Sequence, residues 1–386
     1  MRVAVVVRSL KIGGMERSAI NIAQSFANEG HESHLIYFKS KNAALKPEKN
    51  VYLHHFNLEK IARLSIIGFI WNIFSRILNS IIRQSYFFWS GMLFSKIFKY
   101  KLEKLEKKYG KFDLIILRGQ GTFESVWMLK DDRIKQVSVS MFIFSGSAKR
   151  NFFLRCLYDN KHIICISEGV KTKILEAAEI ANFKPKSLNI VYNAMDIELV
   201  QKKALEYSPD IDEEYLVYFG RITPNKNVSL GVSAYNYAKQ NLGLDKKFII
   251  IGDGAEYKNV QEQIKLLKLE DSVKILGSLD NPYPWVKNAR LFVFTSKSEG
   301  LGNVLLESLA CHTPIVSVKT EGGAKDIMKD ELDEFRVDFN EEVLAKKIVQ
   351  TLHEKPFIDY DKYLEEFTPS FVVQKYITVF ALNDKK

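Results

Sequence analysis

Two α/β domains, each a doubly wound parallel sheet, are what this sequence predicts, on three observations. Short apolar runs that end in glycine or polar loops alternate with stretches of helical spacing through both halves of the chain, the mark of strands covered on both faces. At 386 residues the chain exceeds what one core usually fills. Between the halves, 207–214 is polar and acidic and contains Pro209, as a linker would. The expected organisation is a first domain over 1–206 with a basic insertion at 61–108, a second over 207–368, and a C-terminal helix over 369–386 that crosses back to the first. Two such domains would face each other across a cleft.

The elements follow in order. Residues 3–7 are an unbroken apolar run, and 16–27 places Ala19, Ile20, Ala23, Phe26 and Ala27 at helical spacing. Gly30 stops that helix and 34–38 returns as a strand, completing a βαβ unit. Gly13-Gly14 sits at the strand-to-helix junction, where bare backbone can turn sharply or approach a ligand. A dinucleotide fingerprint would need G-x-G-x-x-G there and an acid closing the second strand, but Lys39 stands in that place. Strands are expected at 112–117, 136–144, 163–166 and 189–192, with Ser167 capping a helix over 168–178. The second half starts afresh with a strand at 215–219, a polar loop at 220–227 and a helix at 228–240. Further strands fall at 248–251, 273–276, 291–294 and 315–318, and 369–382 has helical spacing.

The net charge of +10 is concentrated. Residues 61–108 hold nine Lys/Arg against Glu103 and Glu106, set among Ile, Leu and Phe. The longest uncharged pieces, 64–75 and 84–95, are too short to span a bilayer. Two readings stand side by side: one or two amphipathic helices lying at an anionic membrane surface, or core helices with a solvated basic face. Trp71, Phe87, Phe88 and Trp89 weigh toward the membrane. Nucleic acid is not an expected partner, since polar stacking platforms are missing. Cys156, Cys165 and Cys311 lack metal-ligand spacing, and so sparse a set fits a reducing cytoplasm. The run 3–7 is too short for a signal peptide.

The most informative stretch is 295–314. The strand 291–294 leads into a loop holding Glu299, Gly300, Leu301 and Gly302, and a helix opens near Asn303 and Val304 with Leu305, Leu306 and Leu309 turned inward. Unpaired N–H groups at such a helix start favour an anion. Glu299 and Glu307 flank that seat, and carboxylates accept well from hydroxyls. Phosphate in the middle and sugar hydroxyls at both ends describe a nucleotide sugar. Arg221 and Lys226, in the loop after the strand 215–219, would stabilise the charge that a leaving nucleoside diphosphate gains.

With these residues in view, the chain resembles the family-4 glycosyltransferases, retaining enzymes of GT-B fold, of the bacterial surface-glycan type. The resemblance rests on Phe219-Gly220-Arg221 with Lys226-Asn227, on Ile250-Ile251-Gly252-Asp253-Gly254, on Leu276-Gly277, on the E-x7-E element Glu299 to Glu307, and on Gly322-Gly323. Gly13-Gly14-Met15-Glu16, Ile166-Ser167-Glu168-Gly169 and Tyr192-Asn193-Ala194-Met195-Asp196 extend it over nearly the whole chain. The resemblance implies that Arg221 and Lys226 hold the diphosphate, with Gly220 beside them and Gly13 and Gly14 approaching it from the first domain. It implies Glu307 on the ribose, Glu299 on the donor sugar, backbone of Gly300 to Val304 on phosphate and sugar, and Leu276-Gly277 on the base.

It further implies a hexosyltransferase without metal or other cofactor. The donor would be a nucleotide diphosphate hexose or N-acetylhexosamine, with UDP the expected nucleotide. The acceptor would be a lipid-linked or cell-surface glycan of lipopolysaccharide, capsule or O-antigen type. The expected place is the cytoplasm, peripheral at the inner face of the membrane. One departure stands out. Many relatives carry a histidine after the strand that here ends at Met141 to Ser147; this chain has Phe142-Ile143-Phe144-Ser145-Gly146-Ser147. His162 is a poor substitute, while Ser145, Ser147 or Lys149 could supply a polar contact. The departure keeps open a second reading, a GT-B protein that binds a nucleotide sugar or glycan without transferring it.

Overall fold

The computed structural model describes residues 1–11, 13–39, 45–47, 50–141, 143, 145–354 and 356–383. The chain forms two compact units, Met1–Met195 with Pro369–Lys386, and Asp196–Thr368.

The first unit is built on a parallel sheet of seven strands: β1 (Arg2–Ser9), β2 (Glu32–Lys39), β3 (Val51–His55), β4 (Leu114–Arg118), β5 (Ile134–Ser138), β6 (His162–Cys165) and β7 (Ser187–Ile190). Their order, β3-β2-β1-β4-β5-β6-β7, reverses between β1 and β4, where doubly wound sheets bind ligands. Val3 to Val7 are fully buried because helices cover both faces. Helix α1 (Gly14–Asn28) buries Ala19, Ile22, Ala23 and Phe26. The C-terminal helix Pro369–Asn383 belongs to this unit as expected: Tyr376 is buried with its ring 5.9 Å from that of Phe26. Ser167 caps the helix Glu168–Ala181 by accepting from the Val170 N–H.

Three features depart from the sequence reading. Strand β3 has no clean apolar run, since Tyr52 and Leu53 are exposed on this sheet edge, and spacing alone does not announce it. The strand expected at 136–144 is β5, which ends at Ser138 where its pairing with β6 ends at Cys165. Phe142 and Phe144 of that expected strand lie outside the described residues. The basic stretch forms three helices, α2 (Leu58–Arg63), α3 (Ile66–Ile81) and α4 (Tyr86–Tyr109). Phe94, Phe98 and Leu102 of α4 are buried, so α4 is the core helix with a basic outer face. The aromatics that weighed toward a membrane are half-buried, with Phe88 stacked on Trp127 at 4.8 Å. On α3 it is isoleucine that faces outward.

The second unit repeats the plan with β8 (Tyr215–Phe219), β9 (Lys247–Ile251), β10 (Val273–Gly277), β11 (Leu291–Phe294), β13 (Ile315–Val318) and β15 (Arg336–Val337), in the order β10-β9-β8-β11-β13-β15. Two short strands, β12 (Ser298–Glu299) and β14 (Glu321–Gly322), pair separately. The unit begins at Asp196, ahead of the boundary expected after 206. Asn281 is the reason: its amide donates to the Lys203 carbonyl at 2.8 Å, and its own carbonyl accepts from the Tyr207 hydroxyl at 2.6 Å. These bonds fasten the expected linker to the second unit.

Candidate active site

Loops at the C-terminal ends of β8, β9, β10 and β11 build the site in the second unit. Backbone contact holds three of these ends together. The Gly220 N–H donates to the Ile251 carbonyl at 2.9 Å, the Ile222 N–H to Asp253 at 2.9 Å, and the Gly252 N–H to Gly277 at 2.8 Å. A Cβ on Gly252 would lie 1.8 Å from the Gly220 oxygen, and one on Gly254 would lie 2.2 Å from the Ile222 oxygen. Both have φ above +150°, so glycine is required there for space and for conformation. The buried Tyr218 hydroxyl donates to the Arg221 carbonyl at 2.9 Å, fixing the start of the loop, while the Arg221 side chain is exposed at its rim.

The loop 220–227 is fastened to the loop after β11 by four hydrogen bonds. The Thr295 hydroxyl donates to the Lys226 carbonyl at 2.9 Å, and the Lys297 N–H to the Asn225 carbonyl at 2.8 Å. The Asn225 amide donates to the Ser298 carbonyl at 2.7 Å and its carbonyl accepts from the Ser298 hydroxyl at 3.0 Å. This clasp brings the Lys226 ammonium to 2.5 Å from Glu299, each side chain only 14% exposed. Glu299 is fixed from behind as well, since its carbonyl accepts from Gly323 at 3.0 Å and β12 pairs with Gly322.

Gly302, at φ +94°, turns the chain into the helix Asn303–Ala310, whose Leu305, Leu306 and Leu309 are fully buried and hold its first turn in place. A Cβ on Gly220 would lie 4.0 Å from the Val304 side chain, so the helix start and the basic loop are neighbours. The structure thus gathers Gly220, Arg221, Lys226, Glu299, Gly300, Leu301, Gly302, Asn303, Val304 and Glu307 on one sheet edge, with Leu276 and Gly277 joined to it through Gly252. Glu307 is half-buried one turn into the helix, and burial pushes the Cys311 thiol beside it up to about 12. A cation held by a carboxylate at a helix start can bind phosphate oxygens on one side and sugar hydroxyls on the other. Among the described residues no group of three His, Cys, Asp or Glu could hold a metal ion.

In the first unit, Gly13 is the extended residue before α1, and the space where a Gly14 Cβ would stand is open. His162 lies at the start of β6, the opposite edge of the sheet from the strand ends that carry loops, bonded to Ser187 at 2.7 Å. Two of the residues that could have replaced a histidine have structural work: Ser147 caps the helix Ala148–Tyr158, and Lys149 donates to the Arg83 carbonyl at 2.9 Å. Tyr218 and Asn225, which hold the loops of this site, are residues that sequence reasoning missed. Asparagine's habit of bonding loop backbone, here between Pro224 and Lys226, was the available signal.

The family model described as glycosyl transferases group 1 matches residues 202–368. A curated relative from Campylobacter jejuni, an N-acetylgalactosamine-N,N'-diacetylbacillosaminyl-diphospho-undecaprenol 4-alpha-N-acetylgalactosaminyltransferase, is 33% identical over 190 residues, 49% of this chain and 50% of that protein. The chain therefore spans about half the length of that relative. Among solved structures, a glycosyltransferase from Rickettsia africae superposes with a TM-score of 0.69 at 15% identity, covering 100% of this chain and 99% of its own. HepE of Anabaena, solved with UDP and glucose, gives 0.63 at 17% identity, with 99% of each chain covered. These two likenesses show the fold.

Proposed function

We propose that this chain, whose residues 202–368 match the model for glycosyl transferases group 1, is a retaining hexosyltransferase of GT-B fold related to family 4. The observation that carries the reading is the Lys226–Glu299 pair, clasped at the helix start beside Arg221. The donor is a nucleotide diphosphate hexose or N-acetylhexosamine, with UDP as the nucleotide. Lys226 and Arg221 hold the diphosphate and stabilise its charge as the bond from sugar C1 to phosphate oxygen breaks. The acceptor hydroxyl forms its bond to C1 on the same face, and its proton passes to the leaving phosphate, so no protein base is required.

Glu299 accepts from hydroxyls of the donor sugar and Glu307 from those of the ribose. Backbone of Gly300 to Val304 lies against phosphate and sugar, and Leu276-Gly277 against the base. Gly13 and Gly14 are assigned to the phosphates on the family resemblance alone. The acceptor is a lipid-linked or surface glycan, and the enzyme works at the inner membrane face; the undecaprenol-linked acceptor named for the Campylobacter relative supports that class.

Lys226→Ala and Glu307→Ala should each lower transfer at least tenfold, about 1.4 kcal/mol in barrier, measured by mass spectrometry across a panel of nucleotide sugars. Undiminished turnover in both would sink the proposal. The missing first-domain histidine favours one other reading, a binding protein. Nucleotide binding by calorimetry, with neither transfer nor donor hydrolysis across the panel, would establish it instead.

A further inference from the structure

Helix α3 is turned inside out relative to an ordinary surface helix. Six isoleucines (66, 67, 70, 73, 77 and 81) with Phe69 and Phe74 are all exposed, from 43% to 81%. The side that meets the protein is small and polar instead. Gly68 and Ser75 are buried, and a Cβ on Gly68 would lie 2.0 Å from the Ala62 oxygen. The Trp71 indole donates to the Trp89 carbonyl at 2.8 Å, the Tyr86 hydroxyl to Asn72 at 3.2 Å, and the Tyr86 N–H to Asn79 at 2.9 Å. Ser65 caps the helix through the Gly68 N–H at 3.0 Å. These contacts fix the helix on α4 with its apolar arc outward.

Monomers in water rarely leave more than a few hundred Å² of contiguous apolar surface exposed, and eight large side chains along one helix exceed that. The flanks settle what the arc fits. No acidic residue occurs between 61 and 102, while Arg63, Arg76 and Arg83 are exposed around the helix and Lys149 joins them at its C-terminal end through the Arg83 carbonyl. A protein-binding patch would be rich in tyrosine, methionine and arginine at its centre. An arc of isoleucine with cations at its edges suits acyl chains bordered by anionic headgroups. At 16 residues α3 is about 24 Å long, and no helix among the described residues is long and apolar enough to cross a membrane.

We propose that α3 is a preformed monotopic insertion helix, lying in the plane of an anionic bilayer with Ile66, Ile70, Ile73, Ile77 and Ile81 buried among the acyl chains. α4 is its rigid mount, not a second inserting element. The proposal rests on the membrane-face reading above and names the residues that carry it. Because α3 is already folded and fastened, insertion adds no helix, unlike a peptide that folds on the surface.

The test is flotation of the full chain with vesicles of phosphatidylcholine and phosphatidylglycerol in equal parts, against phosphatidylcholine alone, at low salt. The chain should float with the mixed vesicles without change in far-UV circular dichroism. Ile70→Glu with Ile77→Glu should lower partition at least tenfold, and Arg76→Glu with Arg83→Glu should remove the preference for phosphatidylglycerol. UDP affinity, read by calorimetry on the same preparations, should be unchanged in both variants. Equal partition of the isoleucine variant and the parent would overturn the proposal, as would a parent that fails to float. A concentration-dependent dimer in sedimentation, abolished by the isoleucine variant, would assign the arc to a second copy and overturn it too. Absent UDP binding in the parent would count against the glycosyltransferase reading alone, leaving the flotation result to stand by itself.

Discussion

At the β8–β11 edge of the second unit, backbone meets backbone. Gly252 and Gly254 bring strand ends together at distances no Cβ permits, and the Lys226–Glu299 ion pair is held between two clasped loops. In the α3–α4 hairpin of the first unit, side chains set the geometry through an indole, a tyrosine and two asparagines. The first arrangement tolerates almost no substitution, and its glycines are visible in the sequence. The second is visible only when the helices are paired. Two consecutive helices are both rich in apolar residues, yet one turns them into the core and the other turns them out.

The largest effect should come from the inward helix. Phe98 is fully buried between Phe38 and Phe56, so Phe98→Ala should cost about 3–5 kcal/mol in urea unfolding. A loss below 1 kcal/mol would mean that α4 is not core. Gly252→Ala should cost about 3 kcal/mol through its clash with Gly220 and its positive φ. If the variant unfolds at the parent's midpoint, close backbone packing is not what sets this edge.

Asn225→Ala removes two clasp bonds between the loops. It should lower kcat/KM roughly tenfold, about 1.4 kcal/mol, mainly by raising the donor KM. An unchanged KM would leave the clasp without a positioning role. On the flank of α4, burial, then the charges of His34 and Lys108, hold the His54 imidazole down to about 4. The unfolded chain therefore takes up this proton near the ordinary histidine value while the folded chain does not. The stability it contributes is complete above about pH 6.5 and is lost as pH falls toward 4, by about 1 kcal/mol after solvent screening. Unfolding free energies that stay flat across that window in the parent, and match those of His54→Gln, would remove the effect. Smallest of all, Ile73→Ser on the outer face of α3 should leave stability within about 0.5 kcal/mol. A larger loss would show that the arc packs against protein.

Much of the molecule was legible in its residues. Strands β8, β11 and β13 fall where apolar runs end in glycine or polar loops, and Arg221, Lys226, Glu299 and Glu307 stand out as charges in those loops and in the helix that follows. Periodicity and turn chemistry act over a few residues, so sequence alone determines them. It did not determine that Asn225 reaches Ser298, 73 positions away, that β5 stops at Ser138, that 203–207 is fastened to Asn281, or which face of α3 is the outer one. Each depends on groups distant in the chain meeting in space. An apolar stripe shows that a helix has two faces, and only its neighbours decide which of them is covered.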